Sequence, residues 1–184
     1  MAADTNLAPS VMRRITNFIV GAIAICAAAL TMFTASRADQ PASPVYVTEK
    51  PAGYRDWRVI SVAHEEDDLH SFAVVLGNDT VVAAYRAGAL PYPDGSIIAA
   101  LHYRHAASDE NNKIFGKEQS FVAGTPTNIQ FMVKDSKKYA ATGGWGFAHF
   151  NNDGKPADEK FMASCFPCHQ KIQSRDLVFT KYAP

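Results

Sequence analysis

From residue 57 onward the chain is built of short runs in which apolar and polar residues alternate. That period predicts strands rather than long helices. Residues 57–63 (WRVISVA) alternate and carry β-branched side chains. Residues 71–76, 96–105, 128–133 and 145–150 read the same way, so five strands are expected. The polar, acidic stretch 64–70 reads as a loop. Gly77-Asn78-Asp79 interrupts the second run, and Asn78 or Asp79 suits a helix cap. Residues 80–87 then form a short helix stopped by Gly88. Pro91, Pro93, Asp94 and Gly95 predict a turn, residues 106–112 a loop, residues 134–139 a short helical turn and residues 151–154 another turn. Helix formers follow from Ala157. Strands and helices do not alternate as repeated βαβ units. The expected fold is therefore α+β: a mostly antiparallel sheet with a few helices packed against it.

The N-terminal segment departs from this pattern. Residues 15–33 (ITNFIVGAIAICAAALTMF) form an uncharged, largely apolar run after Arg13-Arg14, and small residues follow up to Ala38. A basic region, an apolar run and a small-x-small ending describe a secretory signal peptide. Ser36 and Ala38 occupy the −3 and −1 positions, so cleavage is expected after Ala38 and the protein is expected in the periplasm. The alternative is an uncleaved membrane anchor over residues 15–33, a run nearly long enough to span a bilayer. Cys26 follows Ile25 where a lipoprotein would carry a small residue. Residues 39–53, with Pro41, Pro44, Pro51 and Gly53, read as a flexible leader. The domain is expected over residues 54–184.

Composition narrows the function. The chain has 18 basic and 18 acidic residues, so it lacks the positive surplus that a nucleic-acid binder needs against phosphates. A 47% hydrophobic content suits a packed globular domain. Three cysteines are too few for a disulfide scaffold. Once residues 1–38 are removed, Cys165 and Cys168 are the remaining pair.

That pair lies in Cys165-Phe166-Pro167-Cys168-His169, the C-x-x-C-H signature of c-type haem attachment. Two thiols one helical turn apart can add to the two vinyl groups along one haem edge. The next residue, His169, is then held to offer an imidazole nitrogen to iron, and its other nitrogen is expected to donate to a carbonyl or carboxylate. A redox C-x-x-C is the first alternative, although that motif normally accompanies a βαβ pattern. Half of a zinc site is the second, but no further C-x-x-C or H-x-x-x-H occurs elsewhere. Export favours haem c held through Cys165 and Cys168, because c-type attachment takes place outside the cytoplasm.

With the motif in view, the chain resembles the cytochrome P-460 and cytochrome c′-beta family. Tyr54-Arg-Asp-Trp57, the Pro93-Asp-Gly95 turn, Phe131-Met-Val-Lys-Asp-Ser136, Gly143-Gly-Trp-Gly-Phe147, Cys165 to His169, Arg175-Asp176-Leu-Val-Phe-Thr180 and Tyr182-Ala-Pro184 run in the family's order. The resemblance implies a sheet-rich homodimer with one c-type haem per chain. It also implies a histidine on one face of the iron and an open or weakly held position on the other. Some members oxidise hydroxylamine and others bind nitric oxide. In the oxidising type a lysine on the strand after the Pro-Asp-Gly turn cross-links to the porphyrin. Here that position is Ala100, which has no amine. The distal carboxylate of the oxidising type corresponds to Gln130, whose amide can donate a hydrogen bond but cannot relay protons as a carboxylate does.

Strand alternation puts Ile98, Ala100 and His102 on one face, and likewise Gln130 and Met132. The leading expectation is five-coordinate iron binding a small ligand, nitric oxide above all, with Gln130 near the distal side. A hydroxylamine-oxidising or related oxidoreductase is one alternative. The other is an electron-transfer cytochrome, served by a periplasmic redox partner, in which His102 or Met132 is a sixth ligand. His64, His70, His105 and His149 read as scattered surface or hydrogen-bonded residues. Glu65-Glu66-Asp67-Asp68 reads as a solvated loop, Lys137-Lys138 as a solvated charge pair, and Trp57, Trp145 and Phe147 as core.

Overall fold

The computed structural model describes residues 46–66 and 69–183. The signal segment expected over 1–38 and the first part of the leader lie outside these residues. Among the described residues no helix is long and apolar enough to cross a membrane.

Five antiparallel strands pair in chain order: β1 (Arg58–Glu65), β2 (Ser71–Gly77), β3 (Ile97–Ala107), β4 (Phe121–Lys134) and β5 (Trp145–Asn151). The fold is α+β, with short helices inserted between strands or following them. Helix α1 (Asp79–Ala87) joins β2 to β3, and α2 (Asp109–Phe115) joins β3 to β4. After β5 come α3 (Glu159–Ala163), α4 (Cys165–His169) and the 3-10 segment Gln170–Arg175.

Local chemistry explains the boundaries. Asn78 is the cap of α1: its side-chain oxygen accepts from Val81 N and Ile97 N, both at 3.1 Å, while its amide donates to Gly95 O at 2.8 Å. One side chain therefore ties the helix start to the turn before β3. Gly88 ends the helix at φ 62, a left-handed conformation that glycine adopts without a Cβ clash. In the Pro93-Asp94-Gly95 turn, the Asp94 carboxylate accepts from Ser136 N at 2.8 Å and Ser136 Oγ at 2.7 Å. This fastens the start of β3 to the end of β4.

The period-2 pattern gives the sheet two different faces. One buries Val75, Ile98, Met132, Trp145 and Phe147 against Val81 and Val82 of α1 and against Leu177 and Val178 of the C-terminal segment. The other buries Leu76, Ala99, Phe131, Ala148 and Phe150 together with Val47 and Tyr139.

Three sequence expectations need adjusting. Residues 106–112 are not a loop: β3 runs through Ala107, and α2 begins at Asp109. Helix α2 has no buried residue, so no apolar stripe announced it. It is held instead by the Ser108 cap and by Asn112, whose side-chain oxygen accepts from Gln119 N and Ser120 N. Strand β4 begins at Phe121, well before the expected residue 128, because its first half pairs with β3 through register shifts that break alternation. Finally, the described end of the expected leader is docked: Val47 is buried, and its N–H donates to Phe147 O at 3.0 Å.

Candidate functional site

A cavity of about 460 Å³ lies between α4 and the sheet face that also carries α1. Helix α4 contributes Cys165, Cys168 and His169. The sheet wall is formed by Val75 of β2, by Ile98, Ala100 and His102 of β3, by Gln130 and Met132 of β4, and by Phe147 and His149 of β5. These positions face one another through the strand register: Val75 pairs with Ala100, Ala100 with Gln130, Ile98 with Met132, and Gln130 with His149. The three motif residues and the five distal candidates thus line a single space.

His169 is half-buried, and its Nδ1 lies 2.7 Å from Leu177 O. A carbonyl can only accept, so Nδ1 carries the proton and Nε2 keeps its lone pair. Burial lowers the histidine's pKa and the bond to Leu177 partly opposes this, so the neutral, metal-ligating form is favoured at neutral pH. The ring lies between Phe147, at 4.9 Å centroid to centroid, and Phe179, at 5.0 Å. Cys165 and Cys168 are free thiols, Cys165 half-buried and Cys168 exposed. Burial, and then the neighbouring Cys168, push the Cys165 thiol up, so it stays protonated at neutral pH.

The residues present fit a haem. Two unpaired thiols and a neutral imidazole share one short helix. The opposite wall is largely aliphatic and aromatic. Phe161 and Phe179 line the cavity yet remain 48% and 49% exposed, apolar surface that a flat macrocycle would cover. Cys165 and Cys168 would hold the group, and His169 Nε2 would ligate its iron.

The polar end of the cavity is richer than the sequence indicated. His102 has its pKa lowered by burial and partly restored by Glu65. His149, read from sequence as a scattered residue, lines the same wall. Burial and then His102 lower its pKa. Its position was legible, since His149 is two residues from Phe147 on β5 and must share its face. Glu65, assigned to a solvated loop, is the last residue of β1 and also lines the cavity. Gln130 is exposed at this end and donates through Nε2 to Asn128 Oδ1 at 3.2 Å. Phe161, Phe179 and Lys181 carried no local signal, because they reach the cavity only through the path of the C-terminal segment.

Three other histidines meet away from this cavity rather than being scattered. His64 and His105 have ring centroids 4.6 Å apart, and His105 Nδ1 lies 3.4 Å from His70 Nε2. Trp145 and Phe147 are core residues as expected, and Phe147 also forms cavity wall.

The chain matches no curated protein sequence. Residues 51–180 match the sequence model of the family described as Cytochrome P460. The match spans most of the chain, including the strands, the cavity and the C-x-x-C-H motif, and so the chain belongs to the cytochrome P460 family of haem-binding proteins.

Proposed function

We propose that this chain is an exported, periplasmic c-type cytochrome. It holds one haem through thioethers to Cys165 and Cys168, takes His169 as proximal ligand, and binds a small neutral ligand, nitric oxide foremost, on the sheet-facing side. When bound, the haem supplies an iron centre able to take a diatomic ligand. The chain's residues do the rest. Leu177 O orients the His169 imidazole. Val75, Ala100 and Met132 supply apolar wall beside the polar end made by His102, Gln130 and His149, and apolar wall disfavours anions and admits neutral molecules.

The observation that carries this reading is the pair Ala100 and Gln130, cross-strand partners on the cavity wall. Where the hydroxylamine-oxidising type has an amine and a carboxylate, this chain has a methyl group and a neutral amide. The family resemblance adds a second copy of the chain as partner. Val59 and Val62, more than half exposed on edge strand β1, offer apolar surface for it. Light scattering on the purified protein tests the dimer, and a monomer at all concentrations would refute it.

The test of the ligand reading is an optical spectrum of the exported protein, ferric and ferrous, with and without nitric oxide. Expected is a high-spin ferrous c-type spectrum that changes on adding the gas. Low-spin bands indifferent to nitric oxide would overturn the reading in favour of electron transfer, with His102 or Met132 as sixth ligand. A strongly red-shifted ferrous band would overturn it in favour of a modified porphyrin and oxidase chemistry.

A further inference from the structure

The end of β4 and the C-terminal segment are joined by a buried ion pair, 42 residues apart in sequence. Lys134 Nζ lies 2.8 Å and 2.9 Å from the two carboxylate oxygens of Asp176, and the side chains are only 7% and 13% exposed. The ammonium also lies 3.4 Å from Gly143 O and 5.0 Å from the Trp145 ring centroid. Asp176 Oδ2 additionally accepts from Tyr92 N at 2.9 Å. Each carboxylate oxygen therefore has a buried donor.

The backbone that this pair grips is unusual. Asp176 at φ 50 and Leu177 at φ 66 are consecutive non-glycine residues in the left-handed region. A residue with a Cβ is strained in this region and persists there only where its surroundings hold it. The double left-handed step reverses the chain after the 3-10 segment and brings Leu177 O back onto His169 Nδ1 at 2.7 Å. Gly143 makes room for the turn, since a Cβ there would meet Leu177 Cδ1 at 2.8 Å.

We infer that Lys134 and Asp176 are positioning residues for the proximal histidine: their ion pair locks the turn whose Leu177 carbonyl accepts from His169, and so sets how strongly that imidazole donates to iron. The inference rests on the haem reading above. A firmly held acceptor pulls on the Nδ1 proton and makes Nε2 a stronger donor, which favours ferric over ferrous iron. Loosening the turn weakens that pull.

The experiment uses the exported, haem-loaded protein and the variants Lys134→Met and Asp176→Asn. Expected in both is a lower iron–histidine stretching frequency in the ferrous resonance Raman spectrum. The ferrous-to-ferric ratio at fixed potential is expected to rise, each tenfold rise being about 59 mV for one electron. Asp176→Asn keeps an oxygen for Tyr92 N–H, so it carries the test should Lys134→Met fail to fold. Asn112→Ala is the control: it removes the oxygen that accepts from Gln119 N and Ser120 N beside α2, far from the turn, and lowers thermal stability, but leaves both readouts at their wild-type values. A lowered melting temperature in Asp176→Asn with unchanged band and potential would overturn the inference and leave the pair a purely structural one. Wild-type protein without a haemochrome absorption would instead refute the haem reading itself.

Discussion

Ala100 and Gln130 sit directly opposite each other on β3 and β4, and both line the cavity that faces Cys165, Cys168 and His169. A methyl group at position 100 leaves space between Val75 and Gln130. Ala100→Phe fills it. A benzyl group there occupies cavity volume that a ligand would otherwise take, so nitric oxide affinity is expected to fall roughly tenfold or more, with the His169 side undisturbed. Gas titration followed by absorbance checks this. An unchanged affinity would mean that the ligand approaches from elsewhere.

The thiols of α4 allow a second prediction. Replacing both Cys165 and Cys168 by alanine removes both thiols of the C-x-x-C-H run while leaving His169 in place. Haem that survives denaturation with the wild-type chain is expected to be lost entirely from the double variant, read as the intact mass and as haem staining of a denaturing gel. Covalent haem in the double variant would assign the attachment to another residue.

Much of this was readable in the chain because its signals are local. Alternation within residues 57–63, 71–76 and 145–150 reports a buried face, and the strands form there to within a residue or two. The Asn78-Asp79 pair and Gly88 announce the two ends of α1 for the same reason, and the structure selects Asn78 as the cap. The C-x-x-C-H run is contiguous, so its residues share one helix whatever the rest does. What stayed hidden depends on distance in sequence or on polar contacts. Helix α2 buries nothing, and Asn112 rather than an apolar stripe secures it. Lys134 and Asp176 each sit in a recognisable motif, yet neither motif reveals that the other is its partner. His149 was legible as a neighbour of Phe147 on one face, but only the strand register shows that this face opens onto the cavity.

The packing of Tyr139 on β5 supplies a stability test. Gly146 lies beneath the buried Tyr139 ring, and a Cβ at 146 would overlap it. Gly146→Ala forces the ring or the strand to move. Overpacking of this kind costs about 1–3 kcal/mol. Urea unfolding is expected to show a lower midpoint with an unchanged slope. Tyr139→Leu in the Gly146→Ala background should recover part of the loss by clearing the ring.

The two histidines on the sheet wall predict how stability depends on pH. Burial holds His102 below the ordinary value of 6.5, opposed by Glu65. Burial, and then His102, hold His149 below it as well. A histidine whose pKa is lower in the folded state binds fewer protons there than in the unfolded chain. Between the two values unfolding takes up protons, so the free energy of unfolding rises with pH. The contribution is complete above 6.5, declines as pH falls from 6.5 toward the depressed native values, and is exhausted below them. His102→Gln removes one titrating group from the wall and relieves His149 of a neighbouring charge. Chemical unfolding of haem-loaded wild type and His102→Gln between about pH 5 and pH 8 is therefore expected to give a shallower acid limb for the variant. His169 and the solvent-facing carboxylates remain in both proteins, so their contributions cancel in the comparison. Parallel limbs would mean that the His102 imidazole is protonated as readily in the folded cavity as in water.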